Sequence, residues 1–320
     1  MNAQRIGVVF PGQGSQVIGM GQDVAAGNRR AAQLFSTASE ILGYDLLELV
    51  RNAPQERLRQ TQFSQPAIFA TNIALYFAVG QTLRPVVSAG HSFGEFCSLT
   101  ISGAVSFEDA LTMVDARGKA MQLAAERTPG GMSAVLGMEA SAILEVVNDV
   151  RGKTGTRVAL ANFNAPMQTV ISGDLLGVRA AGDALLAAGA KRVVPLNVSG
   201  AWHSELMEPA VAAFSRAVEA AQVSLPQFDV ISNLDARPYR DVATIRKHLI
   251  ASITSEVRWH DTSLALLEYG LDSLVEFGAS PVLASLAKRL PGVPPVHTVS
   301  DLAGVERFEQ TLEPLVGRPA

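Results

Sequence analysis

The sequence predicts an α/β protein, a parallel sheet covered by helices, on three observations. Short β-like runs alternate with longer Ala/Leu-rich stretches. A serine stands in Gly-x-Ser-x-Gly directly after one of those runs. The stretch from about Gly130 to Val198 repeats strand–helix–strand order on its own. The strands predicted are Ile6–Phe10, Val86–Ala89, Ser133–Leu136, Arg157–Asn162, Thr169–Ser172, Lys191–Leu196, Val230–Ser232 and Ser273–Phe277. Between them, the spacing predicts helices over Ala31–Leu42, Pro66–Thr82, Phe107–Ala125, Ala140–Val150, Gly177–Ala188, Ser204–Ala221 and Val242–Ser252. Pro129-Gly130-Gly131 opens the self-contained stretch and Asn197-Val198-Ser199-Gly200 closes it, and its βαββαβ order suggests a small ferredoxin-like unit, residues 130–197, inserted in a large domain made of 1–129 and 198–320. The end after Leu315 reads as frayed or as the stub of a linker.

Composition narrows the function class. Of 320 residues, 48% are hydrophobic and only 18% charged, which is the balance of a packed protein rather than a disordered one. Lys and Arg number 26 against 30 Asp and Glu, so the net charge of -4 offers no global attraction for nucleic acid. The first apolar run is far too short for a signal segment or a membrane span, so no membrane partner and a cytoplasmic location are expected. The single cysteine, Cys97, has no partner for a disulfide or a metal cluster and reads as a small core residue; no metal site is expected.

The chemistry concentrates in three turns. In Gly90-His91-Ser92-Phe93-Gly94-Glu95 the serine sits on a sharp strand-to-helix turn that exposes its hydroxyl, and the following helix, Glu95 to Gly103, aims its N-terminal N–H groups at it. Phe10-Pro11-Gly12-Gln13-Gly14-Ser15-Gln16 follows the first strand, and its glycines make Gln13 a candidate oxyanion donor; an ordinary glycine-rich turn fits the same residues. It lacks the Lys-Ser/Thr of a phosphate loop. The third turn, Val198-Ser199-Gly200-Ala201-Trp202-His203-Ser204, puts His203 just before a helix where the insertion returns. A serine nucleophile needs a base. Of the five histidines, His91 is adjacent to Ser92 and diverges from it, His248 lies in a charged helix and reads as solvated, and His260 and His297 lack a comparable loop.

Together with Arg117-Gly118 and Ala161-Asn162-Phe163-Asn164-Ala165-Pro166, these motifs resemble the malonyl-CoA:acyl carrier protein transacylases and the acyltransferase domains of polyketide synthases, in order over residues 5–290. The resemblance implies an α/β-hydrolase-like large domain and a ping-pong transfer. Ser92 takes the acyl group from coenzyme A, and the phosphopantetheine thiol of a carrier protein, discrete or within a synthase, removes it. It further implies His203 as base and acid, Phe93 N–H and a donor at Gln13 as the oxyanion hole, and a backbone carbonyl at Ser252 orienting His203. The family often has Gln or Asn where Ser252 stands. Arg117 would clamp a carboxylated acyl group, Asn162 would face the substrate, and bulky Trp202 before the histidine favours malonyl over 2-alkyl homologues.

No cofactor is expected beyond the coenzyme A thioester substrate, and the expected state is a monomer. The stretch at 162–166 and the departures from the family lean toward a polyketide enzyme acting in trans. A proofreading acyl hydrolase, or a transferase for another acyl group, is the alternative. Phe277-Gly278-Ala279-Ser280-Pro281 departs from the Gly-Pro-Gly common in the family. Lys119, Lys153, Arg157, Lys191, Arg192 and Lys288 are candidates for a basic patch facing an acidic carrier protein.

Overall fold

In a computed structural model that describes residues 4–80 and 83–312, nine strands form two separate sheets. The strands are β1 Ile6–Phe10, β2 Pro85–Gly90, β3 Gly130–Leu136, β4 Val158–Ala165, β5 Gln168–Asp174, β6 Arg192–Pro195, β7 Asp229–Ile231, β8 Ser273–Phe277 and β9 Val296–Val299. The helices up to the second sheet are α1 Gln22–Gly27, α2 Arg29–Leu42, α3 Leu46–Asn52, α4 Gln55–Arg59, α5 Thr61–Ala78, α6 Gly94–Ile101 and α7 Phe107–Arg127. Those that follow are α8 Ala140–Thr154, α9 Leu175–Ala187, α10 Glu208–Ala220, α11 Val242–Ala251, α12 Trp259–Leu267, α13 Val282–Ala287 and α14 Leu302–Leu312.

The first sheet is parallel throughout, in the order β7-β2-β1-β8-β9. Its central strands β1 and β8 are buried on both faces, which is why Ile6–Phe10 reads as an unbroken apolar run rather than an alternating one. One face packs through Val8, Phe10 and Phe277 against α5, α6 and α7. The other packs through Val9, Val87, Ala89 and Ile231 against Trp259, Leu266 and Leu283.

The second sheet is antiparallel, order β4-β5-β3-β6, with α8 and α9 supplying a core of their own around Val135, Ile143, Ile171 and Leu185. Met132, Ala161 and Val170 join the main core instead, so the sheet's other face rests on the rest of the molecule.

Several elements depart from expectation for local reasons. Helix α5 starts at Thr61 rather than Pro66, because the Thr61 N–H is taken by Gln122 Oε1 (3.1 Å) and the helix is buried almost end to end. Packing there outweighs the missing proline donor. The stretch Ser204–Ala221 divides into a short 3-10 turn, Glu205–Met207, and α10, with Pro209 in the first turn where its absent N–H is harmless. Strand β9 was not predicted, since Pro294-Pro295 precedes its four residues and its pairing with β8 is long-range. Thr82, the predicted end of the α5 stretch, and the tail after Leu315 lie outside the described residues. No helix among the described residues is long and apolar enough to cross a membrane.

Candidate active site

Parallel strands β1, β2, β7 and β8 all end at the same edge of the sheet, and the loops that leave them converge there. The turn after β2 carries Ser92. Its geometry is tight: a Cβ on Gly90 would lie 1.9 Å from the carbonyl carbon of Gly94, and one on Gly94 would lie 2.4 Å from Phe10 O. Only glycine at both positions lets strand and helix meet so closely. Ser92 itself is held at φ 53°, in the left-handed region that non-glycine residues rarely adopt.

His203 is brought to Ser92 from the opposite side, across 111 residues of sequence. Its Nε2 lies 2.8 Å from Ser92 Oγ. Like Ser92 it has a left-handed backbone, φ 59°. Ser204, the next residue, caps the 3-10 turn with its hydroxyl, accepting from Leu206 N and donating to Ala201 O.

His203 Nδ1 is 3.0 Å from the carbonyl oxygen of Ser255. The hydrogen bond therefore goes to Ser255, three residues beyond the expected Ser252, because Ser252 only closes the last turn of α11. The Ser252 carbonyl still acts on the ring as a weaker second acceptor. Burial, then the charge of Arg117, holds the imidazole of His203 down to about 3 against its ordinary 6.5, with the two carbonyls opposing. His203 is thus neutral at physiological pH, and a proton on Nδ1 bound to a carbonyl leaves Nε2 as the acceptor facing Ser92.

A cavity opens beside this pair, lined by Gln13, Gln65, His91, Ser92, Arg117, Met121, Met132, Asn162, Trp202 and His203 among others. Helix α7 delivers Arg117. Ser106 caps that helix by accepting from Asp109 N, and the buried stripe of Ala110, Met113, Val114, Arg117 and Met121 turns the guanidinium inward. Arg117 is 1% exposed, and its Nε and Nη2 have no hydrogen-bond partner among the described residues. Burial pulls it down to about 10, opposed by the charge of Glu95, so it remains a cation at neutral pH. No partner from Asp115 or Glu126 reaches it; Asp115 pairs with Lys119, and Glu126 accepts from Gln122.

Among the other predicted residues, Trp202 and Asn162 are both buried on the cavity wall, Trp202 with its Nε1 unpartnered. Gln13 lines the cavity, but its side-chain amide donates to Thr61 Oγ1 (3.1 Å). Among the described residues, no hydrogen bond is made by the backbone N–H of Gln13 or of Phe93. The loop at Ser280, where the sequence departs from the family pattern, donates its hydroxyl to Ser15 O and so braces the Gln13 loop.

Sequence reasoning missed the support behind the turn. Asn233, just past β7, accepts from Ser92 N (3.0 Å) with Oδ1 and donates from Nδ2 to Gly90 O (2.6 Å) and to Glu95 Oε2. Tyr239 OH donates to the other oxygen of Glu95. His248, expected to be solvated, is half-buried and bonded to Ser232 Oγ (2.9 Å) in the same region. His91 holds Asn164 Oδ1 of β4 at 2.8 Å rather than Ser92. Among the described residues no group of three or more His, Cys, Asp or Glu is arranged to hold a metal ion.

Residues 8–299 match the family described as acyl transferase domain. A malonyl CoA-acyl carrier protein transacylase of Haemophilus influenzae is 36% identical over 312 residues, 97% of this chain and 99% of its own length. The polyketide biosynthesis protein ThaF of Burkholderia thailandensis is 40% identical over 286 residues, 88% of this chain but 24% of that protein. Among solved structures, a type II polyketide synthase malonyl-transacylase in complex with its acyl carrier protein superposes with a TM-score of 0.90 at 36% identity, covering 96% of this chain and 99% of that one.

Proposed function

The chain belongs to the acyl transferase family, and from that premise we propose that Ser92 accepts a malonyl group from malonyl-CoA and hands it to the phosphopantetheine thiol of an acyl carrier protein, in fatty-acid or polyketide synthesis. One observation carries the choice of acyl group: the Arg117 guanidinium is buried and charged in the same cavity as Ser92 and His203, with Nε and Nη2 unpaired among the described residues. Its planar fork fits a carboxylate in two parallel hydrogen bonds, and an uncompensated buried charge is expensive, so an acyl group that brings a carboxylate is favoured over a neutral one.

The steps follow from the geometry. Ser92 Oγ attacks the thioester carbonyl while His203 Nε2, 2.8 Å away, takes its proton. The tetrahedral oxyanion is received by the backbone N–H groups of Phe93 and Gln13, both free of protein partners among the described residues. Collapse breaks the carbon–sulfur bond, and the imidazolium returns its proton to the departing coenzyme A thiolate. In the second half the carrier thiol gives its proton to His203, attacks the acyl-serine, and Ser92 regains a proton from the imidazolium as its ester breaks. The Nδ1–H bond to Ser255 O fixes the tautomer throughout.

Trp202 and Asn162 form the wall around the acyl chain, Trp202 restricting room at C2. In the same reading, residues 130–197 are an inserted ferredoxin-like subdomain, supported by βαββαβ order and the sheet order β4-β5-β3-β6, and 1–129 with 198–320 are an α/β-hydrolase-like domain. The enzyme acts as a cytoplasmic monomer, needing no cofactor beyond the thioester.

Mass spectrometry of the intact protein after incubation with malonyl-CoA or acetyl-CoA tests the reading. Malonyl-CoA labels Ser92, acetyl-CoA labels it far more slowly, and Arg117→Ala lowers malonyl labelling by on the order of 10²-fold. Equal labelling by acetyl-CoA, or undiminished malonyl labelling of the variant, would sink it.

A further inference from the structure

The nucleophile turn is not self-supporting, and its brace comes from a different strand. Strand β7 runs parallel to β2 with Ile231 opposite Ala89, so the chain leaving β7 arrives beside the turn that leaves β2. Two residues on, Asn233 is 1% exposed. Its side chain spans the turn, with Oδ1 on the N–H of Ser92 and Nδ2 on the carbonyl of Gly90. The same Nδ2, together with the Asn233 backbone N–H (3.1 Å), also reaches Glu95 Oε2 in the first turn of α6. Asn233 is itself held from behind, since its carbonyl accepts from Arg258 N at 2.9 Å.

One primary amide therefore ties the residue before the turn, the strained serine and the helix after it. An asparagine is the residue that can do this, because it offers an acceptor and two donors on one short, planar group. The arrangement also decides which amide of the turn is free. Gly94 N donates to His91 O and Glu95 N donates to Ser92 O, so with Ser92 N held by Asn233 the turn's remaining donor is Phe93 N.

We infer that Asn233 is a positioning residue for the reaction: it holds Ser92 in its left-handed conformation so that Oγ stays in register with His203, and it leaves Phe93 N–H as the donor for the oxyanion. The inference rests on the reading of Ser92 as the acylated nucleophile. Asn233 does not line the cavity that holds Arg117 and Trp202, so it bears on the chemical step and not on the binding of malonyl-CoA.

The test separates those two quantities. Single-turnover acylation by malonyl-CoA is measured in Asn233→Ala, and the dissociation constant for malonyl-CoA is measured for the same change in a Ser92→Ala background. Acylation falls on the order of 10²-fold, the size expected when a reacting atom moves by about 1 Å, while the dissociation constant stays within about twofold of the Ser92→Ala parent.

Tyr239→Phe controls for general damage, since it strips a donor from Glu95 while leaving Asn233 on the turn; its acylation rate stays within about threefold of wild type. If Asn233→Ala does not fold, Asn233→Ser serves, a polar side chain too short to hold Ser92 N–H and Gly90 O together, with a loss of at least about tenfold in acylation and unchanged affinity. An acylation rate close to wild type in the Asn233 variant that folds, a loss of affinity matching the loss of rate, or an equal loss in Tyr239→Phe would overturn the inference. Absence of malonyl labelling in the wild-type protein would instead overturn the assignment of Ser92.

Discussion

At the scale of single residues, the site is built from side chains whose surroundings deny them their usual partners. Among the described residues Arg117 Nε and Nη2 and the Trp202 indole N–H have no hydrogen-bond partner, and His203 is too buried to be protonated. The indole makes a clean substitution. Trp202→Phe removes part of the cavity wall without breaking a hydrogen bond, so its stability cost is that of lost packing, on the order of 1–2 kcal/mol. The room gained falls beside the acyl chain. With one methyl group worth about 1–3 kcal/mol in such a pocket, labelling of Ser92 by methylmalonyl-CoA relative to malonyl-CoA rises by about tenfold in that variant. Competition between the two thioesters, read by intact mass, measures the ratio; an unchanged ratio would move Trp202 away from the acyl C2.

At the scale of elements, the unit that matters is the β2–turn–α6 segment pressed against the loop after β1. Gly94→Ala would drive a methyl to 2.4 Å from Phe10 O and 3.1 Å from Pro11 O, both backbone atoms that cannot swing aside. The loop carrying Gln13 must then retreat from the turn. A stability loss of about 1–3 kcal/mol by urea titration is expected together with an acylation loss on the order of 10²-fold; a variant that is destabilised but reacts at the normal rate would show that the spacing of these two loops is not critical.

This segment was legible in the sequence because everything that defines it is local: a strand, two glycines and a serine within ten residues. His203 was legible by its loop and Arg117 by its motif. Asn233 was not, since its part depends on β7 lying beside β2, a pairing between residues more than 140 positions apart that no local pattern encodes. The same cause explains Ser255. Which carbonyl of the 252–255 turn lies nearest His203 Nδ1 depends on how α11 ends against the rest of the molecule, and the family resemblance pointed to Ser252, the weaker of the two acceptors, rather than to Ser255.

At the scale of the whole molecule, the cavity lies between two sheets that are stitched together at the site. Val257 N donates to Ala161 O, Phe163 N donates to Val257 O, and His91 meets Asn164, so the strand carrying Asn162 is fixed to the edge that carries Ser92. Enclosing the site this way buries His203 and Glu95 among its titratable groups, and their protonation then couples catalysis to folding. His203 is held to about 3 against 6.5, so between those values the unfolded chain binds a proton that the folded chain refuses. Its contribution to stability is whole above 6.5 and is lost as pH falls toward 3.

Glu95 runs the other way: burial raises it to about 7 from 4.5 despite donors from Tyr239 and Asn233, so its contribution is whole below 4.5 and is lost as pH rises through 7. Between 4.5 and 6.5 the two slopes oppose each other, and each variant exposes the slope of the other group. His203→Ala removes the acid loss, so its stability relative to wild type improves as pH is lowered from 7 to 5, by an amount approaching about 1.4 kcal/mol per pH unit. Glu95→Gln starts from a constant deficit, because its amide faces donors, yet gains on wild type as pH is raised from 5 to 8. Denaturant midpoints across that range decide the matter: two variants whose differences from wild type do not change with pH would show that neither group is displaced from its ordinary titration, whereas slopes of opposite sign follow only if the enclosed site holds His203 neutral and lifts Glu95 toward neutrality.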